Sequence, residues 1–353
     1  MLGCVRWPTV EEGGDGNALF DADAMADRHI GRGEFAGMEF LHVNAKRIIS
    51  EVPKASNMSF RYTINAYRGC SHACTYCFAR PTHEYLGMGI GEDFERRIVV
   101  KINAVDRLRA EIAAKRWAGH HIAMGTNTDP YQRCEGKYHL TQGIIGVLAD
   151  ASNPFSILTK STLVLRDLKL LAKATRRCHV KVNLSIATVD DDVWRCTEPG
   201  TPRPLARVEA VRRLNDAGVP CGVLVAPVIP GLSDTEQQLA DVVGACVDAG
   251  AVSISSVALH LRPGVREHYL AWLRDARPDL VEATERHYQR AYLPAAEQDA
   301  LSEQVRLLVE AAHGTATTPR GAITDRVRLH MGGDAGAPAP PPQPARQLAF
   351  DLV

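Results

Sequence analysis

Short β-rich runs alternate with helical runs through the central part of this 353-residue chain, and this alternation restricts its fold more than any other feature. Strands separated by about 10 to 15 helical residues are typical of parallel pairing through right-handed crossovers. The pattern predicts an α/β fold whose sheet is open or forms a full or partial barrel, with chemistry at the carboxyl ends of the strands. The predicted strands are residues 60–64, 98–102, 121–125, 155–159, 180–186, 222–228 and 252–259.

Helix signals lie between these runs. Ser161 is a plausible N-cap for a helix that places Val164, Leu168 and Leu171 on one face. A second helix is predicted over residues 203–217, ending before Gly218 as a C-terminal glycine would require.

The chain divides into four segments by composition and periodicity. Residues 1–57 are predicted to be an irregular N-terminal extension, 58–290 the core domain, 291–330 a helical C-terminal segment and 331–353 a disordered, proline-rich tail.

Composition excludes several classes of protein. No apolar run approaches the roughly 18 residues that a membrane helix needs, and the first residues lack the pattern of a secretion signal, so a cytoplasmic, non-membrane protein is expected. Forty-one basic residues balance 41 acidic ones, which argues against a non-specific polyanion binder. Residues 160–213 nevertheless carry 12 Lys and Arg against 6 Asp and Glu, a net charge of +6. Such a segment suits either solvated helix faces or a nucleic-acid substrate.

Three of the nine cysteines, Cys70, Cys74 and Cys77, fall within eight residues. Thiolates gathered in this way repel one another, and a soft metal ion or an iron–sulfur cluster is the usual compensation. Three cysteines would leave one iron of a 4Fe-4S cluster open to a ligand from outside the protein. The alternatives are a structural zinc site with His72 or His83 as fourth ligand, and three unligated buried thiols.

The C-x3-C-x2-C spacing, with the aromatic Tyr76 directly before the last cysteine, resembles the signature of the radical S-adenosylmethionine (SAM) superfamily. The resemblance implies a partial (β/α)6 barrel in which Cys70, Cys74 and Cys77 ligate three irons of a 4Fe-4S cluster and SAM chelates the fourth. It further implies that one electron, from a donor such as flavodoxin or ferredoxin, splits SAM into methionine and a 5'-deoxyadenosyl radical.

Motifs at residues 125–132, 184–188, 198–202 and 226–231 resemble the spore photoproduct lyase-like branch of that superfamily. The resemblance covers residues 58–290. By analogy with superfamily members, backbone carbonyls and hydroxyls at one strand end would contact the SAM ammonium, at Thr126, Thr128 and Asp129. The ribose hydroxyls would donate to Ser185 and Glu198, and an apolar wall for adenine would be formed by Val228 and Ile229. The alternative interpretation of these motifs is ordinary turns and loops.

One departure from the branch concerns the hydrogen donor. Spore photoproduct lyase uses a cysteine thiol there, but the comparable strand end of this chain, residues 123–126, has no thiol, and Cys134 lies at a different offset. The same lyase reaction is therefore not expected, and the reaction is left as lyase-type or transferase-type on an unidentified substrate.

The last residues suggest a partner. The peptide from Gln347 to Leu352 is similar to the Q-L-x-L-x-L motif by which bacterial replication and repair proteins bind the DNA sliding clamp. This similarity keeps a second function open, a non-catalytic DNA-repair module with a structural zinc ion or cluster that docks on the clamp through its tail.

Overall fold

The structure is a computed structural model that describes residues 20–53, 56 and 58–315. The strands are β1 (Phe20–Ile30), β2 (Glu39–Ala45), β3 (Ile49–Glu51), β4 (Tyr62–Ile64), β5 (Tyr67–Arg68), β6 (Arg97–Lys101), β7 (Ile122–Met124), β8 (Phe155–Thr159), β9 (Val180–Ser185), β10 (Cys221–Val228) and β11 (Ile254–Ala258). The α-helices are α1 (Glu92–Arg96), α2 (Ala104–Ala113), α3 (Glu135–Tyr138), α4 (Leu140–Asp150), α5 (Leu168–Ala174), α6 (Asp191–Thr197), α7 (Pro204–Asp216), α8 (Glu236–Asp248), α9 (Val265–Ala276), α10 (Val281–His287) and α11 (Ala295–Thr315). Short 3-10 helices are Gly33–Phe35, Arg80–Leu86, Thr162–Asp167 and Pro278–Leu280.

The main sheet has the order β11-β10-β9-β8-β7-β4-β3. The strands from β4 to β11 in this order are parallel, and β3 pairs with β4 in the antiparallel direction at one edge. This confirms the predicted α/β fold with parallel strands, and the order is that of a partial barrel. The ends of β8 and β9 align, since Thr159 pairs with Leu184, whereas β10 continues to Val228 beyond Leu224, the partner of Ser185. The residues that follow β8, β9 and β10 therefore lie at one edge of the sheet.

A second, four-stranded sheet has the order β1-β2-β6-β5. The position of β6 in this sheet corrects one expectation from the sequence. The run 98–102 was expected to join the other predicted strands, but it forms β6 of this separate sheet. Both faces of β6 are buried, Ile98 and Val100 in the main core and Val99 under Leu86 and Met88, so the run has the continuous apolar pattern of a central parallel strand.

The N-terminal extension is also more regular than expected. Within residues 1–57, which were predicted to be irregular, the structure has β1, β2 and β3. Strand β2 pairs with β6 and β3 pairs with β4, so these strands depend on partners distant in the sequence. Local periodicity gives little sign of short strands formed in this way.

The helix signals are confirmed. The Ser161 hydroxyl accepts a hydrogen bond from the Leu163 backbone N–H at 3.2 Å, at the start of the Thr162–Asp167 helix. Helix α7 ends just before Gly218, which has a φ of +76°. The segment 291–330 is helical over α11, and its residues 316–330 and the tail 331–353 lie outside the described residues. Within the described residues, no helix has the length and apolar character needed to cross a membrane.

Two apolar clusters position the site. The larger one fills the space between the main sheet and its helices. The smaller one joins the cysteine loop to the C-terminal helices, because Cys74 and Tyr76 pack there with side chains from α9 such as Tyr269. The loop that contains the three cysteines is therefore covered by the C-terminal part of the core.

Candidate active site

The three clustered cysteines lie on the loop between β5 and the Arg80–Leu86 helix, beyond the carboxyl end of β4. Cys70 and Cys74 are buried and Cys77 is partly buried. All three are free thiols.

Backbone geometry requires a glycine at the start of this loop. Gly69 has a φ of +79°, and a Cβ there would lie 2.8 Å from the Phe94 carbonyl oxygen and 2.9 Å from His83 Cε1. The next residue, Cys70, donates its backbone N–H to the same Phe94 oxygen at 2.9 Å. Arg80, which is fully buried, donates to the Cys74 carbonyl oxygen from Nε at 3.1 Å and from Nη2 at 2.8 Å. These contacts fix the loop from both ends.

The surroundings of the thiols disfavour isolated thiolates. Burial raises the pKa of all three, and the pKa of Cys70 is raised further by Asp129 and by the other two thiols. The pKa of Cys74 reaches about 12. Cys77 packs with Cys70 in one apolar cluster and with Cys74 in another, so the three thiols lie in one neighbourhood. Soft sulfur donors of this kind suit an iron–sulfur cluster, whose positive irons would offset the cost of ionising buried thiols. In the described part of the chain, no group of three or more His, Cys, Asp and Glu side chains already converges on one metal position, so the three thiols would have to turn towards a common point when a cluster binds.

The predicted motif at residues 198–202 packs directly on the cysteine loop. Thr75 donates its backbone N–H to the Thr197 carbonyl oxygen, and Gly200 donates to the His72 oxygen, both at 3.0 Å. A Cβ on Gly200 would lie 2.2 Å from the Ser71 carbonyl oxygen, so only glycine fits at this contact.

Thr128, which was expected to contact SAM, braces the same loop in this structure. Its hydroxyl donates to the Gly69 carbonyl oxygen at 2.6 Å. Gln132 supports it, because its side-chain amide donates to that oxygen and to the Thr128 hydroxyl, both at 3.0 Å.

Asp129 connects the cysteine loop to the end of β8. Its carboxylate lies 3.3 Å from His72 Nδ1 and accepts from the Thr159 hydroxyl at 2.6 Å and from the Lys160 N–H at 2.8 Å. Burial alone would raise the pKa of this carboxyl group, but His72 and the hydrogen bonds hold it below its ordinary value. The side chain is therefore an ionised structural link.

Thr126 follows β7 and Ser185 ends β9, two strands that are separated in the sheet by β8. The Thr126 hydroxyl accepts from the Asn65 side-chain amide at 3.0 Å. The Ser185 hydroxyl donates to the Ala226 carbonyl oxygen at 2.9 Å. Asn65 is a contact that the sequence analysis did not identify.

Glu198 is buried in a dense polar network. One carboxylate oxygen accepts from Lys160 Nζ at 2.8 Å and from the Tyr76 hydroxyl. The other lies 2.5 Å from Arg207 Nη2 and accepts from the Thr201 hydroxyl at 3.4 Å. Burial opposes ionisation, but Arg207 and Lys160 outweigh it and lower the pKa of Glu198 far below its ordinary value. A carboxylate has about four acceptor positions, so a ribose hydroxyl could bind only by replacing one of these partners.

Lys160 is the main residue that the sequence analysis missed. It directly follows β8, and its Nζ donates to the Ser185 hydroxyl at 2.8 Å, to Glu198, and to the Ala226 carbonyl oxygen at 3.2 Å. The same nitrogen lies 5.6 Å from the centre of the Tyr76 ring. Its position at the carboxyl end of a predicted strand was the available signal.

The two residues expected to form a wall for adenine are both buried but pack in different places. Val228 belongs to the main core, whereas Ile229 packs in the smaller cluster with Cys74 and Tyr76. Ile229 is therefore the one that shares the surroundings of the cysteine loop.

The sequence of this chain is similar to a known family and to proteins of other organisms. A family model described as the radical SAM superfamily matches residues 64–243, just over half of the chain. An uncharacterised protein of Mycobacterium tuberculosis (strain H37Rv) is 46% identical over 277 residues, covering 78% of this chain and 82% of that protein. An uncharacterised protein of Methanocaldococcus jannaschii is 32% identical over 202 residues, covering 56% of this chain and 71% of that protein.

Solved structures share the fold. Spore photoproduct lyase complexed with dinucleoside spore photoproduct aligns with a TM-score of 0.56 and 18% identity, covering 77% of this chain and 79% of that one. A variant of the lyase with bound AdoMet and dinucleoside spore photoproduct aligns with a TM-score of 0.55 and 19% identity, covering 73% and 76% of the two chains.

Proposed function

This chain belongs to the radical SAM superfamily, and we propose that it is an enzyme that holds a 4Fe-4S cluster on Cys70, Cys74 and Cys77 and uses it to cleave SAM reductively. The observation that carries the proposal is the loop itself. Three free thiols share one neighbourhood beyond the end of a parallel strand, and the loop is fixed by Gly69, Arg80 and the Thr197–Gly200 contacts.

When bound and reduced, such a cluster supplies the electron that splits SAM into methionine and a 5'-deoxyadenosyl radical. The chain's own residues would hold and shield these partners. Thr126 and Ser185 lie at strand ends where they can contact SAM, and Ile229 provides apolar surface beside Cys74. Thr128 and Asp129 engage their side chains in bracing the loop, so we assign any contact with the SAM ammonium to the backbone carbonyls of this turn. Lys160 orients both Ser185 and Glu198, the two groups proposed for the ribose.

Iron content and the visible spectrum test the cluster directly. After anaerobic reconstitution, the wild-type protein is expected to bind iron and sulfide, to be brown and to bleach on reduction. Cys74→Ala is expected to lose this spectrum. Cys246→Ala is the matched control, because Cys246 is also fully buried but lies on α8, away from the loop. A colourless wild-type protein with bound zinc would contradict the proposal and favour the non-catalytic structural-metal module.

Radical SAM enzymes need a reductant, and we propose flavodoxin or ferredoxin for this one.

We also propose a nucleic-acid substrate in a lyase-type or transferase-type reaction. The lyase of similar fold binds a dinucleoside photoproduct, which supports this class of substrate. The net charge of residues 160–213 supports it less than the sequence suggests, since Lys160, Arg166 and Arg207 are engaged in ion pairs and are largely buried. The cytoplasmic location stays a prediction.

Clamp binding by the peptide from Gln347 to Leu352 stays a separate proposal, because this peptide lies outside the described residues. A pull-down with immobilised sliding clamp would compare the full chain with one that ends at Ala345. Retention of the full chain alone supports the proposal, and equal retention removes it.

A further inference from the structure

Three aromatic side chains form an exposed row beside the cysteine loop. The ring centroids of Phe78 and His260 are 5.6 Å apart, and the rings of His260 and Tyr292 are stacked, with 5.4 Å between centroids and 21° between planes. Phe78 is 42% exposed and Tyr292 is 46% exposed. Large aromatic side chains gain free energy by burial, so the exposed rings of Phe78 and Tyr292, one on each side of the partly buried His260, mark a candidate ligand-binding surface.

The row lies beside the cysteine loop and the carboxyl end of β11. Phe78 directly follows Cys77, and His260 comes two residues after the carboxyl end of β11. Ligands of parallel α/β folds bind at these carboxyl ends. A group that covers the row is therefore next to the loop proposed to hold the cluster.

The backbone holds the row in place. His260 and Tyr292 form an isolated antiparallel bridge, and Leu261 donates its backbone N–H to the Ala291 carbonyl oxygen at 2.7 Å. Arg262 Nη2 donates to the Tyr292 hydroxyl at 2.9 Å. Because the rings are already positioned, a ligand would stack on them with little additional loss of conformational entropy.

The surroundings of the row favour a flat ligand that carries negative charge nearby. Burial and the Arg262 charge lower the pKa of His260 to about 4, so its ring is neutral at pH 7 and acts as an aromatic face. Arg262 supplies positive charge at the Tyr292 end of the row. Nucleobases stack on Phe, Tyr and His side chains irrespective of sequence, and phosphates are attracted to arginine.

We propose that the row of Phe78, His260 and Tyr292 is a stacking site for an unpaired nucleobase of the substrate. This inference rests on the proposed function, since it names where a nucleic-acid substrate binds relative to the cysteine loop. The site reads the face of a base and not its hydrogen-bonding edge, so it selects single-stranded or extruded nucleotides without strong sequence preference.

Fluorescence anisotropy with the reconstituted wild-type protein and SAM tests the site. The probes are a labelled single-stranded oligothymidylate of about 12 nucleotides and its abasic equivalent of the same length. The wild-type protein is expected to bind the base-containing strand more tightly. Tyr292→Leu and Phe78→Leu are each expected to weaken that binding by about 5-fold to 150-fold and to leave the abasic strand unaffected.

Two control variants separate stacking from other effects. Tyr292→Phe loses the hydroxyl that Arg262 contacts, but it keeps the ring and the backbone bridge to His260. Because stacking needs only the ring in its place, this variant is expected to bind like the wild type. Tyr85→Leu removes a tyrosine that is 51% exposed but lies outside the row, and it is also expected to bind like the wild type. Unchanged cluster absorbance and SAM binding in every variant show that the fold is intact.

Equal affinity for the two strands, or unchanged binding in both leucine variants, would overturn the stacking site while the cluster and SAM binding remained. A wild-type protein that holds no cluster and does not bind SAM would overturn the proposed function and this inference together.

Discussion

At the scale of single residues, Glu198 lies in a buried polar network that the sequence analysis did not anticipate. The sequence singled it out as an acceptor for ribose hydroxyls, but its oxygens already accept from Lys160, Tyr76 and Thr201 and pair with Arg207. The sequence singled it out through the motif at residues 198–202, which directly follows helix α6. Its partners were not predictable, because they come from separate elements that only the folded chain brings together.

Replacing Glu198 by Gln is expected to destabilise the protein and weaken SAM binding. The neutral amide leaves the buried Arg207 and Lys160 without their counter-charge, and removing one partner of a buried ion pair costs about 3 to 5 kcal/mol. Lys160 would then no longer be held beside Ser185. Denaturant unfolding measures the first effect and equilibrium dialysis the second.

The matched control is Glu209→Gln, whose exposed pairing with Arg212 is worth at most about 1 kcal/mol. Unchanged SAM affinity in a folded Glu198→Gln protein that keeps its cluster would contradict the role of this network.

The same carboxylate predicts a dependence of stability on pH. Its pKa in the folded protein is lowered from an ordinary value of 4.5, so its contribution is fully present above that value and is lost as the pH falls towards the folded pKa. Acid unfolding followed by circular dichroism should therefore be less steep below pH 4.5 in Glu198→Gln than in the wild type. Parallel acid-unfolding curves for the two proteins would argue against this assignment.

At the scale of secondary-structure elements, the sequence predicted those whose signal is local. The runs that became β8, β9 and β10 are apolar and bounded by turn signals, and the capped helix after Ser161 has its own periodicity. Strand β6 was assigned to the wrong sheet because it is an interior strand with two buried faces, so its apolar pattern matches that of the strands in the main sheet. Strands β2 and β3 were missed because their pairing partners are distant in the sequence.

Because the 197–201 loop packs on the cysteine loop, adding one methyl group at Gly200 is predicted to disturb the cysteine loop. Gly200→Ala places a Cβ 2.2 Å from the Ser71 carbonyl oxygen, so the two loops have to separate. We expect lower iron content after reconstitution, measured per protein chain. Gly146→Ala is the control, since Gly146 lies within α4 with open space around its Cβ, and it is expected to stabilise the protein by about 0.5 to 1 kcal/mol. Full iron occupancy in Gly200→Ala would show that the contact does not shape the cysteine loop.

At the scale of the whole molecule, the parallel sheet brings separate segments of the chain to one edge. The C-terminal helices cover the cysteine loop at that edge. Cys74, Tyr76 and Ile229 pack with Val265 and Tyr269, so the loop is shielded by residues almost 200 positions away in the sequence. Alternation of strands and helices was enough to predict the parallel sheet and the edge at which these segments meet. It could not predict the covering cluster or the aromatic row, because both depend on how the segment after β11 folds back.

The central claim is that this fold uses its three-cysteine loop to cleave SAM. The most direct test is formation of 5'-deoxyadenosine by the anaerobically reconstituted protein with dithionite and SAM, measured by liquid chromatography in wild type, Cys74→Ala and Cys246→Ala. Formation in the wild type and in Cys246→Ala, but not in Cys74→Ala, is the predicted result. Formation that persists undiminished in Cys74→Ala, or none in a wild-type protein with an intact, reducible cluster and oligonucleotide present, would contradict the account.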